Sequence, residues 1–190
     1  MLRPLLNDLL DEETLLEVRG RDVRKPEWTL AVALKPDRKA LWQTNLMTLV
    51  QAWGLGAVSR TTLEGYAAAE VKRTQSPAVI RWVEAGGWLV LGVGNAPLGA
   101  TDRLVKTIKS TGRPGAALSQ SWLEAEAALG KLAGPLGLSP RLPWPQAYLS
   151  VATRDEYLRT TTRLSFAEPV VGPLTPWHTP TNLIREPLIS

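Results

Sequence analysis

The sequence predicts an α+β fold, a mainly antiparallel sheet flanked by helices, with an extended Pro-rich C-terminal segment. Three observations lead there. Val79 to Val83 and Trp88 to Val93 are rich in β-branched and aromatic residues and are joined through Ala85-Gly86-Gly87, a hairpin pattern. Residues 38–53 and 101–110 carry apolar residues at helical spacing. Residues 167–190 hold Pro169, Pro173, Pro176, Pro180 and Pro187, which no regular element tolerates.

The elements follow in chain order. Residues 2–12 place Leu2, Leu5, Leu6, Leu9 and Leu10 on one side of a short helix, with Pro4 in its first turn. Leu15–Val18 reads as a strand, and Gly20-Arg21-Asp22 as a turn. Trp28–Leu34 is a second strand, ended by Lys35-Pro36-Asp37. A helix from about Arg38 to Trp53 has Leu41, Trp42, Asn45, Leu46, Leu49, Val50 and Trp53 along one stripe, and Gly54 and Gly56 stop it.

Tyr66–Arg73 reads as a strand that leads through Thr74-Gln75-Ser76-Pro77 into the hairpin, where Gly86 and Gly87 supply positive φ. A competing pattern makes 61–72 and 77–85 helices with 87–93 as a wing. That arrangement resembles a winged helix-turn-helix, with Ala69, Val79 and Trp82 at its spacings, but Arg73 stands where a tight glycine turn is needed.

Past Gly99 a helix carries Leu104, Val105 and Ile108 inward, with Thr101 or Asp102 as the expected cap. Thr111 to Gly115 is a loop. Ser119 or Ser121 opens an expected helix through about Leu132, with Trp122, Leu123, Ala127, Leu129 and Leu132 apolar. Residues 134–145 form a Gly/Pro-rich connection, and Ala147–Val151 a strand. Tyr157–Phe166 alternates: Leu158, Thr160, Thr162, Leu164 and Phe166 face one way, and Tyr157, Arg159, Thr161, Arg163 and Ser165 the other. The expected organisation is a core domain over 1–133, a linker with additional strands packing on it over 134–166, and a tail over 167–190.

Composition narrows the chemistry. The chain has no cysteine, which excludes disulfides, thiolate nucleophiles and cysteine-ligated metals. Its single histidine, His178, lies in the tail, which excludes a multi-histidine metal site and makes it a poor candidate for a serine triad. Gly92-Val93-Gly94 precedes a helix, but the Gly-Lys-Ser/Thr of a phosphate loop is absent and Gly99 comes too late for a dinucleotide fingerprint. The expectation is a protein that is not an enzyme, without cofactor, metal or small-molecule substrate. No run reaches the ~20 apolar residues of a membrane span. The opening turns acidic within a dozen positions, unlike a signal peptide, so a cytoplasmic location without membrane contact is expected.

Charge and aromatic content suggest partners. Net charge is +4 and the isoelectric point is near 9.6. Arg103, Lys106 and Lys109 share a helix edge, with Arg113 just beyond. Tyr157, Arg159 and Arg163 share a strand face. Both patterns also describe ordinary solvated surfaces. Read functionally, they are a phosphate-tracking edge and a stacking face for nucleic acid, DNA rather than RNA and single-stranded DNA included. Eight Trp against one Phe supply core, with one or two left for stacking or an interface. The tail keeps Leu174, Trp177, Leu183 and Ile184, apolar content that points to docking on the chain's own surface or on a partner. Pro173-Leu174-Thr175-Pro176 also fits a PxxP ligand.

The order helix, strand, strand, helix, three strands, helix over about residues 1–112 resembles the Roadblock-type dynein light-chain family and profilin-like folds. Ala85-Gly86-Gly87-Trp88-Leu89-Val90-Leu91 and Leu98-Gly99 carry the resemblance. It implies a homodimer with a small-GTPase-regulating or scaffolding role, and residues beyond 112 depart from it. The leading expectation is thus a non-enzymatic nucleic-acid-binding accessory protein that is homo-oligomeric. Its alternatives are a Roadblock-like dimeric interaction module and a structural assembly subunit whose tail docks on a neighbour.

Overall fold

The computed structural model describes residues 3–20, 25–73, 76–115, 121–134, 139, 142–154 and 156–167. The chain divides into two compact units, Met1–Ala117 and Leu118–Ser190. The tail candidates Leu174, Trp177, Leu183 and Ile184 lie outside the described residues.

The first unit runs α1 (Arg3–Asp11), β1 (Thr14–Arg19), β2 (Glu27–Ala33), α2 (Pro36–Ala52), β3 (Val58–Leu63), β4 (Tyr66–Lys72), β5 (Ala78–Ala85), β6 (Trp88–Asn95) and α3 (Gly99–Thr111). Its strands form one antiparallel sheet in the order β1-β2-β6-β5-β4-β3. The β5–β6 hairpin is the expected one, with Gly86 at φ 55° and Gly87 at φ 91°. Residues 77–85 are therefore not a helix, and the winged-helix pattern does not form. Val79 and Val83 are buried on opposite neighbours of the strand repeat from Trp82, so this segment is covered on both faces.

One strand is additional to the expected three. β3 reads VSRTTL, with Ser59 to Thr62 exposed at the sheet edge, so it lacks an apolar signature. It pairs with β4 through Glu64 (φ 52°) and Gly65 (φ 90°). Two consecutive positive φ values give the hairpin turn whose twist matches the strands.

Side-chain alternation sorts the core into two layers. Leu5, Val32, Trp42, Leu46, Val50, Trp82 and Leu89 pack together on the face covered by α1 and α2. Ala31, Val83, Trp88, Val90, Leu104, Val105 and Ile108 pack on the α3 face. The leucine stripe of α1 does not all turn inward: Leu5 is buried, but Leu6 is 56% and Leu10 85% exposed. A polar pin holds α1 to α2. The Asp8 carboxylate accepts from Arg38 Nε at 3.0 Å and from Trp42 Nε1 at 2.7 Å. Burial pushes the Asp8 carboxyl up, but the hydrogen bonds from Arg38 and Trp42 outweigh it, and its net shift is downward.

The second unit holds β7 (Ser121–Ala128), α4 (Leu129–Ala133), β8 (Gln146–Arg154) and β9 (Tyr157–Ser165), the strands forming an antiparallel sheet in that order. The helix expected through Leu132 is mostly strand, and only its last turn is helical. Glu124-Ala125-Glu126-Ala127 favours helix by intrinsic propensity, but it also alternates, and pairing with β8 puts both glutamates on one face. Tertiary pairing overrides propensity here.

Candidate interaction surfaces

The basic helix edge is built by α3, and its anchoring comes from β2. The expected caps, Thr101 and Asp102, do not cap the helix. It starts after Leu98, which makes no side-chain cap. Instead the Glu27 carboxylate accepts from the Ala100 amide at 2.9 Å and the Thr101 amide at 2.8 Å. The helix N-terminus thus already holds an anion, one supplied by the chain itself. The Gly92-Val93-Gly94 stretch makes this possible. A Cβ on Gly92 would collide with Thr101 Oγ1, and one on Gly94 would meet Glu27 Cα at 3.1 Å. These glycines serve close packing of α3 against the sheet. Arg81 also ties α3 to the sheet, bridging Glu70 and Asp102, with Nη2 to Glu70 Oε2 at 2.6 Å and Nη1 to Asp102 Oδ1 at 2.7 Å. Burial raises the Glu70 carboxyl, yet hydrogen bonds from Lys72 and Arg81 bring its net shift downward.

The cations of this edge are largely matched by carboxylates. Arg103 meets Glu17 of β1 at 3.0 Å, and Arg113 meets Glu13 at 2.6 Å. Lys109 donates to the Glu64 carbonyl at 2.7 Å and lies 3.7 Å from its carboxylate. Lys106 is exposed and has no ion pair among the described residues. None of these acids is near α3 in sequence, so a charge count along 101–120 could not find them.

The other sequence-selected set, Tyr157, Arg159 and Arg163, stands on β9 in the second unit. All three are exposed, Tyr157 to 76%. Register aligns Tyr148 of β8 with Arg163, and the Arg163 guanidinium lies 5.9 Å from the Tyr148 ring centroid. This face also carries Glu124 and Glu126 of β7, by register with Ser150 and Tyr148. It is a mixed-charge face with exposed aromatic area. The α3 set and the β9 set belong to different units.

A third surface was missed by sequence reasoning. On the α1/α2 face of the large sheet, Val18 of β1 pairs with Trp28 of β2, which pairs with Val93 of β6. Three apolar side chains thus form one row across three adjacent strands. They are 48%, 48% and 37% exposed, and Leu16, one pleat further along β1, is 59% exposed. Leu30 and Leu91 lie in the next row inward, where they pack against the core. The row is therefore the uncovered continuation of the core face. Trp53 (65%) and Trp122 (61%) are also exposed, so more tryptophans face solvent than the one or two expected. The row is invisible in sequence because its members are far apart in the chain and align only through the non-local β2–β6 pairing.

Among the described residues no group of acidic and histidine side chains could hold a metal ion, and no helix is long and apolar enough to cross a membrane. No family model, curated protein or solved structure matches this chain.

Proposed function

We propose that the chain is a non-enzymatic binding protein whose first unit takes a protein partner on the Val18–Trp28–Val93 row. The in-register alignment of these three exposed side chains carries the reading. Contiguous apolar area on a folded surface marks interaction sites, and a central Trp is the residue type most often found at interface hot spots. The edge strand β1 borders the row, so a partner seated there also reaches unpaired strand edge. The neutralised α3 edge favours this reading over phosphate binding in the first unit.

The test is affinity capture with the full chain and with Trp28→Asp, followed by mass spectrometry of what is retained. A partner, or a second copy of the chain, should be held by the parent and lost from Trp28→Asp at unchanged melting temperature. Identical retention by both proteins overturns the assignment.

Nucleic acid remains a second reading for the second unit, supported by exposed Tyr157 beside Arg159 and Arg163 on one face. Aromatic stacking plus backbone cations suits a single strand. Anisotropy with labelled single-stranded and double-stranded oligonucleotides across a salt series tests it. Binding that weakens with salt and with Tyr157→Ala supports it, and no binding at low salt removes it.

A further inference from the structure

We propose that residues 168–190 of this chain lie over the uncharged face of the β7-β8-β9 sheet within the same molecule.

The register separates the two faces of that sheet completely. Glu124, Glu126, Arg159 and Arg163, the charged residues of these strands whose side chains are described, fall on one side. The other side is built from positions such as Leu123, Leu149, Val151, Leu158 and Leu164, and carries no charge. Such segregation is the pattern of a sheet with one face in a core. Yet no described residue of this face is buried, and Leu158 is 66%, Leu164 52% and Leu123 45% exposed. A three-stranded sheet needs its apolar face packed to be stable.

Residues 168–190 match what is missing. β9 ends at Ser165, at the margin of this face, so the following chain begins beside it. About two dozen residues reach at most about 80 Å. A nine-residue strand spans only about 30 Å, so the segment can cross the sheet more than once. It brings Val170, Val171, Leu174, Trp177, Leu183 and Ile184, against only Glu168, Arg185 and Glu186 as charged residues. Its prolines lack the N–H that a ladder requires. That disfavours growth of the sheet at an edge and leaves the face as the place where the segment's apolar side chains can be buried. This inference is independent of the row on the first unit.

The chain contains no cysteine, so introduced thiols report without background. Leu149→Cys and Thr161→Cys, made separately in the full chain, place a thiol on the uncharged and charged faces respectively. The expected result is reaction with a maleimide at least about tenfold slower at Leu149→Cys, unchanged on dilution. Adding Leu174→Asp and Trp177→Asp should raise the slow rate to that of Thr161→Cys. A second measurement requires no exposure of the face: Leu149→Cys with Trp177→Cys should oxidise to an intramolecular disulfide, and Thr161→Cys with Trp177→Cys should not. Equal rates at the two faces of the full chain overturn the proposal. So does protection that survives the tail substitutions. Protection lost on dilution, or a disulfide formed only between molecules, assigns the cover to a second copy and also overturns it.

Discussion

The Glu27 carboxylate, at the start of β2, accepts from both the amide and the hydroxyl of Thr101 in the first turn of α3, at 2.8 and 3.0 Å. These residues are 74 positions apart in the chain. The contact sets the helix against the sheet and neutralises its N-terminal amides. Glu27→Ala removes a cap that accepts from two amides, and should destabilise the first unit by about 1–2 kcal/mol. Urea unfolding followed by circular dichroism checks this. A loss within about 0.3 kcal/mol, no larger than the error of such a measurement, would show that Glu27 does not cap α3.

The two glycines around this contact should respond differently. At Gly92 a methyl group collides with Thr101 Oγ1 and comes within 3.0 Å of its Cβ. Gly92→Ala should therefore lose about 1–3 kcal/mol through overpacking. At Gly99 a Cβ meets nothing within 4 Å. Gly99→Ala, at the first position of α3, should be neutral or slightly stabilising. Comparison of their denaturant midpoints at constant m-value reads the difference.

Acid should weaken the first unit through Asp8 and Glu70. Both carboxyls titrate below their ordinary values in the folded chain, where hydrogen bonds from Arg38 and Trp42, and from Lys72 and Arg81, outweigh burial. A carboxyl with a lowered folded pKa binds fewer protons folded than unfolded. Its contribution is full above the unfolded value, about pH 4, and is lost as pH falls through the folded value. Melting temperature should thus fall below about pH 4. Asp8→Asn should lower the neutral-pH plateau and flatten that acid limb. An acid limb equally steep in Asp8→Asn would place the pH dependence elsewhere.

Charge reversal on α3 should separate structural from free cations. Arg103→Glu faces Glu17 and should lose up to about 1 kcal/mol, the scale of exposed pairs. Lys106→Glu breaks no ion pair among the described residues and should change stability by less than about 0.5 kcal/mol. If α3 nevertheless tracks phosphates, both variants should weaken oligonucleotide binding and reduce its salt slope alike. If it does not, neither should affect such binding.

What the sequence determined by itself was the local part of this protein. Periodicity located α2 and α3, and the glycine pair with its flanking β-branched runs located the β5–β6 hairpin. These signals rest on neighbours in the chain, where propensity and pattern agree. Legibility failed where they conflicted or were silent. Residues 121–128 carry helix-forming Glu and Ala, yet pair as a strand because β8 offers a ladder and a consistent face. Residues 59–62 are polar because an edge strand has little to bury. The interaction surfaces were less legible still. The basic edge of α3 was readable, but Glu13, Glu17 and Glu64, which match its cations, come from distant positions. Val18, Trp28 and Val93 form a row only because β2 pairs with β6 across the sheet. Tertiary structure decided those features, since surface charge and apolar continuity depend on which strands lie side by side, and non-local pairing leaves no local trace in the chain.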